Sequence, residues 1–139
     1  MKRTELGEQL ELLPDAYERL EYVVDLGRAH GGLADAEKTP ERKVEGCVSE
    51  VFLVCAAEDG ICRFRVDADS AIVKGIAAIL CHLYSGERPG VIIREEPAFL
   101  EKFGITQHLS PNRRNGLTQI YKRMVAFATA QMAGTPGSN

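Results

Sequence analysis

Apolar positions recur in patterned stretches along the chain, and each pattern predicts an element. Residues 1–12 are polar and show no useful period. Leu13, Tyr17, Leu20 and Val24 lie at helical spacing and predict a helix from Pro14, with Asp15 suited to its positive N-terminal end. Gly27 and then Gly31-Gly32 are expected to end it. The polar stretch from His30 to Lys43 reads as a long loop. Two strand-like runs, Val48 to Ala56 and Ile61 to Val66, flank Glu58-Asp59-Gly60, and an Asp-Gly pair there signals a hairpin. The first run is the more apolar and is expected to be central. In the second, Cys62, Phe64 and Val66 alternate with Arg63 and Arg65, the pattern of a strand with one wet face.

Asp67, Asp69 and Ser70 are N-cap candidates for a helix carrying Ile72, Ile76, Ile79, Leu80 and Leu83, with Gly86 as its stop. Gly90 to Arg94 reads as a short strand, and Pro97 to Phe103 as a short helix closed by Gly104. A last helix is predicted from Asn115 to Gln131, with Leu117, Ile120, Tyr121, Met124, Ala128 and Met132 on one side. The order of elements predicts an α+β fold, a small antiparallel β-sheet flanked by helices. One domain over residues 1–139 is expected, its core at about 13–130 and 134–139 a disordered tail.

Composition narrows the function. With 139 residues the chain suits one domain. Lys and Arg number 17 against 20 Asp and Glu, a net charge of −3, so no basic excess argues for nucleic acid. The longest apolar run, Val51 to Ala57, is far short of a membrane span. Met1-Lys2-Arg3 is followed by Glu5, Glu8 and Glu11 rather than an apolar export core, so a cytoplasmic protein is expected.

Four cysteines stand at 47, 55, 62 and 81 with no CxxC pair, which gives a zinc ribbon or cluster motif little support. The default for each is a small buried hydrophobe. Cys55 and Cys62 lie in the hairpin, where a cross-strand disulphide is conceivable, and Cys81 lies in an apolar helix. Cys47 differs. It stands beside Gly46 where the long polar loop meets the first strand, a position that leaves a thiol accessible. Arg42 and Lys43 are placed to stabilise its thiolate, with Glu45 working against them. His30, His82 and His108 are scattered, and His108 reads as a structural histidine or as a base paired with Cys47. Arg113-Arg114 reads as a solvated charge pair or as a surface for an anionic partner.

Three segments in register resemble the SufE/CsdE family of sulphur-acceptor proteins. They are Val44-Glu45-Gly46-Cys47-Val48-Ser49-Glu50-Val51-Phe52, then Asp69-Ser70-Ala71-Ile72-Val73-Lys74-Gly75, then Thr106-Gln107-His108-Leu109-Ser110-Pro111-Asn112-Arg113 with Asn115-Gly116-Leu117. The likeness runs from about Leu13 to Ala130. It implies a fold similar to the IscU-type scaffold, without that scaffold's metal-binding cysteines. It also implies that Cys47 takes persulphide sulphur from a cysteine desulphurase of SufS/CsdA type, stimulates that enzyme, and hands the sulphur to an iron–sulphur scaffold complex. No metal or organic cofactor is implied on this chain, since pyridoxal phosphate belongs to the desulphurase. Ser49 matches the Gly-Cys-x-Ser motif as a loop hydrogen-bonder, Arg113 matches a basic position that helps dock the desulphurase, and His108 is a further supporting candidate. The chain departs from the pattern at Phe52, where relatives carry tryptophan, and at Arg42, where asparagine is common. His30-Gly31-Gly32 stands where relatives have a proline-rich loop.

Two other classes remain open at this point. One is an iron–sulphur scaffold or metal-binding module of IscU-like shape, using Cys47 with other cysteines or histidines. The other is a stand-alone cysteine enzyme with His108 as base, acting without a partner.

Overall fold

A computed structural model describes residues 2–47, 49–96, 99–102 and 105–133. The elements run α1 (Lys2–Glu11), α2 (Ala16–His30), β1 (Val51–Glu58), β2 (Ile61–Ala68), α3 (Ala71–Tyr84), α4 (Pro89–Arg94), α5 (Phe99–Lys102) and α6 (Pro111–Ala133). Two short 3-10 turns, Asp35–Glu37 and Pro40–Arg42, lie between α2 and β1, and a third, Thr106–His108, precedes α6. The expected α+β class holds: a two-stranded antiparallel sheet with helices around it. Among the described residues there are two strands, so β1 is not a central strand.

The hairpin forms as its turn residues require. Asp59 and Gly60 both have positive φ, 53° and 81°, the two-residue geometry that matches the twist of the flanking strands. Register pairs Cys55 with Phe64 and Ala57 with Cys62, so the two hairpin cysteines are diagonal neighbours, and both are free thiols. The core is a single cluster in which Val51, Leu53, Phe64 and Val66 from the hairpin meet the apolar face of α3, with Ile120, Met124 and Ala128 of α6.

Helix α3 is nearly enclosed. Ser70 is its N-cap, its hydroxyl accepting from Val73 N at 3.4 Å. The other two N-cap candidates tie loops together instead. Asp67 accepts from Leu33 N, and Asp69 accepts from Glu50 N. Against α3 lies α2, begun by Asp15 accepting from Glu18 N and ended at Gly31 with φ 84°. Gly27, expected as a stop, sits inside α2 because the two helices touch there: a methyl group on it would stand 2.7 Å from Gly75 Cα. That crossing sets the rotation of α2. Val23 and Gly27 become its buried positions, Leu20 packs at the edge, and Tyr17 is left 71% exposed.

Other expectations are corrected. Residues 2–11 form a helix, because Leu6 and Leu10, one turn apart, are buried in the core despite the charges around them. Gly90 to Arg94 is helix and not strand: Pro89 at the first helical position outweighs the β-branched run Val91-Ile92-Ile93. Tyr121 Oη donates to Ile92 O at 2.7 Å and fastens α4 to α6. The last helix starts at Pro111, four residues early, with Ser110 Oγ accepting from Arg113 N at 3.3 Å. At its far end Met132 is 63% exposed, beyond the packed stripe. The short helix near Pro97 is described at Phe99–Lys102. Pro97, Phe103, Gly104 and the expected tail 134–139 lie outside the described residues.

Candidate functional site

Cys47 stands between two anchored pieces of chain. Before it, Val44 is buried and donates its N–H to Val51 O at 2.8 Å, joining the loop to β1. After it, Glu50 and Asp69 hold each other, Glu50 N to Asp69 Oδ1 at 3.1 Å and Asp69 N to Glu50 O at 3.2 Å. Gly46 between these anchors has φ 85°, a backbone shape that glycine adopts without strain. The turn there aims the half-buried Cys47 side chain at the N-terminal part of α6. Its thiol donates to Gly116 O with Sγ and O 3.7 Å apart.

The sulphur opens onto a recess of about 230 Å³. Cys47 and Ser49 line it from the loop, Val73 from α3, and Ser110, Asn112, Arg113 and Gly116 from α6 and its cap. Arg113 does not float free in this space. Its Nη1 donates to Ser70 Oγ at 2.6 Å, so one hydroxyl both caps α3 and receives the guanidinium. The expected Arg113 and Ser49 thus meet Cys47 in one recess. The side chain of His108, the remaining candidate, lies outside the described residues.

The electrostatics differ from expectation. Arg42 Nη1 donates to Glu37 O, and Lys43 Nζ is 4.0 Å from Glu50, so neither stabilises the thiolate. Removal from water pushes the Cys47 thiol above its ordinary pKa, and Glu45 adds to the rise. At neutral pH the resting group is a thiol donating to a carbonyl, not an exposed thiolate. The other cysteines are further from use. Burial raises Cys55 to about 11, and it raises Cys62 and Cys81 as well. Both Cys62 and Cys81 are buried.

His30 and His82 lie elsewhere, on a cleft of about 640 Å³ between α1, α2 and α3. Burial, then the charges of Lys74 and Arg65, holds His30 below its ordinary pKa. Among the described residues no three His, Cys, Asp or Glu side chains gather as a metal-binding group. No described helix is long and apolar enough to cross a membrane.

Sequence reasoning missed the role of Asn115, whose Nδ2 donates to Gly46 O at 2.7 Å, and of Gln119, whose side chain packs against Gly46. Their signal was present as Asn115-Gly116 and the residue one turn later. What it lacked was any hint that this face of α6 lies against the Cys47 loop.

A family model described as "SufE: Fe-S metabolism associated domain" matches residues 4–128. The chain belongs to the SufE family. Curated relatives named as SufE-like proteins match over most of the chain. An uncharacterised SufE-like protein of Rhizobium etli is 41% identical over 127 residues, covering 87% of this chain and 85% of that one. A second, from Rhizobium meliloti, is 34% identical over 83% of this chain and 86% of its own. A third, from Synechocystis, is 32% identical over 91% and 80%. The fold is also that of a hypothetical protein from Thermus thermophilus, whose solution structure superposes with a TM-score of 0.78 over 96% of this chain and 97% of that one. At 20% identity that likeness speaks for the fold alone. Membership of the SufE family gives the chain a role in iron–sulphur metabolism.

Proposed function

We propose that this SufE protein is a sulphur acceptor: Cys47 takes the outer sulphur of a persulphide held on a cysteine desulphurase and passes it on for iron–sulphur cluster assembly. The observation that carries the reading is the position of Cys47. Among the four cysteines it is the one that opens onto a recess also lined by Arg113, at a loop between two anchored ends. In the transfer, the Cys47 thiol loses its proton and its sulphur attacks the outer sulphur of the partner persulphide. The partner's S–S bond breaks, a new S–S bond forms on Cys47, and the departing thiolate takes up a proton. One thiol and one persulphide give one persulphide and one thiol, with no external oxidant or reductant.

This exchange needs no cofactor on this chain, and it casts the protein as partner and activator of a desulphurase of SufS/CsdA type rather than as a separate enzyme. An iron–sulphur scaffold complex is the onward acceptor. The raised pKa of the thiol fits a group kept unreactive until docking. Arg113 can offer a cation at the recess mouth to the partner or to the transferred persulphide anion, and Ser49 a hydroxyl beside it.

The test is peptide mass after incubation with a desulphurase of that type, pyridoxal phosphate and cysteine. Sulphur acceptance predicts a gain of one sulphur atom on the Cys47 peptide, reversed by reductant and absent in Cys47→Ser. It also predicts faster desulphurase turnover when this protein is added. An active desulphurase that leaves Cys47 unmodified and runs no faster contradicts the reading.

A further inference from the structure

The cleft of about 640 Å³ between α1, α2 and α3 opens on a different face of α3 from the Cys47 recess: Val73 lines the recess, whereas Ala78, Ile79 and His82 line the cleft. Its walls are fixed. Helices α2 and α3 touch at Gly27 and Gly75, where a methyl group on Gly27 would stand 2.7 Å from Gly75 Cα. Helix α1 is pinned by the buried Leu6 and Leu10, and Arg19 Nε donates to Leu10 O at 3.0 Å. The cleft is thus held open by packing on either side of it. Its volume falls in the range of about 300 to 1,000 Å³ that small-molecule sites occupy.

Apolar and charged groups are sorted within this space. Buried Leu6 and Ile79 and half-buried Tyr22 and Leu26 give it an apolar floor with one aromatic ring. Glu5 and Glu8, three residues apart and so on one face of α1, line it as exposed carboxylates. Among the described residues neither has an ion pair. His30 contributes no positive charge, because burial and then the charges of Lys74 and Arg65 hold its imidazole neutral at neutral pH. Those two cations are themselves matched: Lys74 Nζ is 3.5 Å from Asp67 Oδ1, and Arg65 pairs with Glu37. The charge left unanswered in the cleft is negative, and it stands beside an apolar floor.

We infer that this cleft is a binding site for a small organic cation, an ammonium or guanidinium head on an apolar or aromatic stem. Glu5 and Glu8 take the head, and the floor formed by Leu6, Tyr22, Leu26 and Ile79 takes the stem. The volume suits a free ligand, since a lysine side chain reaching in from another protein would leave most of it empty. The site is built on α1, α2 and α3 alone, so it stands whether or not Cys47 accepts sulphur.

The test titrates the isotope-labelled full chain with phenethylammonium and, separately, with phenylpropionate, which keeps the ring and stem but reverses the charge. Backbone amide spectra then locate and quantify binding. Phenethylammonium is expected to give saturable shifts confined to residues 5–9, 22–30 and 78–82. It should bind about tenfold more tightly than phenylpropionate, the combined effect of two partly exposed charge pairs. Glu5→Gln and Glu8→Gln should each weaken it about threefold and tighten phenylpropionate. Both positions are exposed, so neither variant should lose stability, and an unchanged thermal midpoint checks this. Ala29→Trp, at an exposed position on the cleft, fills the space and should weaken both ligands. Equal binding of the two ligands, no saturable shift, or shifts centred elsewhere overturns the site. Full affinity for phenethylammonium in a variant carrying both Glu5→Gln and Glu8→Gln overturns it as well. A trilysine peptide that binds more tightly than phenethylammonium overturns the free-ligand assignment, because the head group would then belong to a protein partner.

Discussion

Gly75 and Gly116, two of the glycines inside helices of this protein, are there for opposite reasons. Gly75 of α3 is enclosed by α2: a methyl group on it would stand 2.9 Å from the Val23 carbonyl carbon. Gly116 of α6 has room. The nearest atom that a methyl group would meet is Cys47 Sγ at 3.6 Å, an ordinary van der Waals contact. Glycine loses more backbone entropy in a helix than alanine does, so each position costs some stability. At Gly75 the gain is a backbone-to-backbone helix crossing that fixes the scaffold. At Gly116 the gain is empty volume beside a sulphur. The comparison separates the part of the molecule that must not move from the part that, on the proposed function, takes up an extra atom.

Replacement of the two glycines by alanine breaks or sharpens this contrast. Gly75→Ala has to part α2 from α3 and is expected to destabilise the fold by about 3 kcal/mol or more, read from the midpoint of chemical denaturation. Gly116→Ala is expected to do the reverse, stabilising by about 0.5 to 1 kcal/mol through helix propensity. The same substitution fills part of the recess, so Cys47 alkylation should slow severalfold while the protein becomes more stable. Equal destabilisation by both substitutions would erase the distinction.

A smaller effect concerns charge. Burial and then Glu45 hold the Cys47 pKa above its ordinary value, and removing a negative charge favours the thiolate. Glu45→Gln should therefore move the midpoint of the alkylation pH profile downward, without reaching the ordinary value, since burial remains. At pH 7 the variant should react faster than wild type, and the two should converge at pH above both midpoints. An upward shift would contradict this account of the thiol.

Much of this arrangement was legible from the sequence, and what was not has physical causes. The hairpin was readable because Asp59-Gly60 selects its turn chemically, and α3 because its apolar stripe is dense. Cys47 was singled out by a glycine neighbour and a loop-to-strand position, which are local features. The α1 helix was hidden because Leu6 and Leu10 are only two apolar anchors among charges, and their burial depends on distant chain. The face of α2 was misread because a glycine contact with α3 sets its rotation, and periodicity alone counted Tyr17 as inside. Arg42 and Lys43 were near Cys47 in sequence, yet their ends bind Glu37 O and approach Glu50. Proximity along the chain does not fix where a long side chain points. The Asn115 contact with Gly46 joins residues 69 positions apart, a separation that no local pattern encodes.

The central claim, that Cys47 receives sulphur, is tested most directly in a single turnover. A desulphurase preloaded with radiolabelled persulphide is freed of cysteine and mixed with this protein, and label is followed onto each chain under non-reducing conditions. The account predicts label appearing on this protein as it leaves the desulphurase, released by reductant, mapped to the Cys47 peptide and absent in Cys47→Ser. Label that stays on the desulphurase, or that reaches the Cys47→Ser protein equally well, would contradict it.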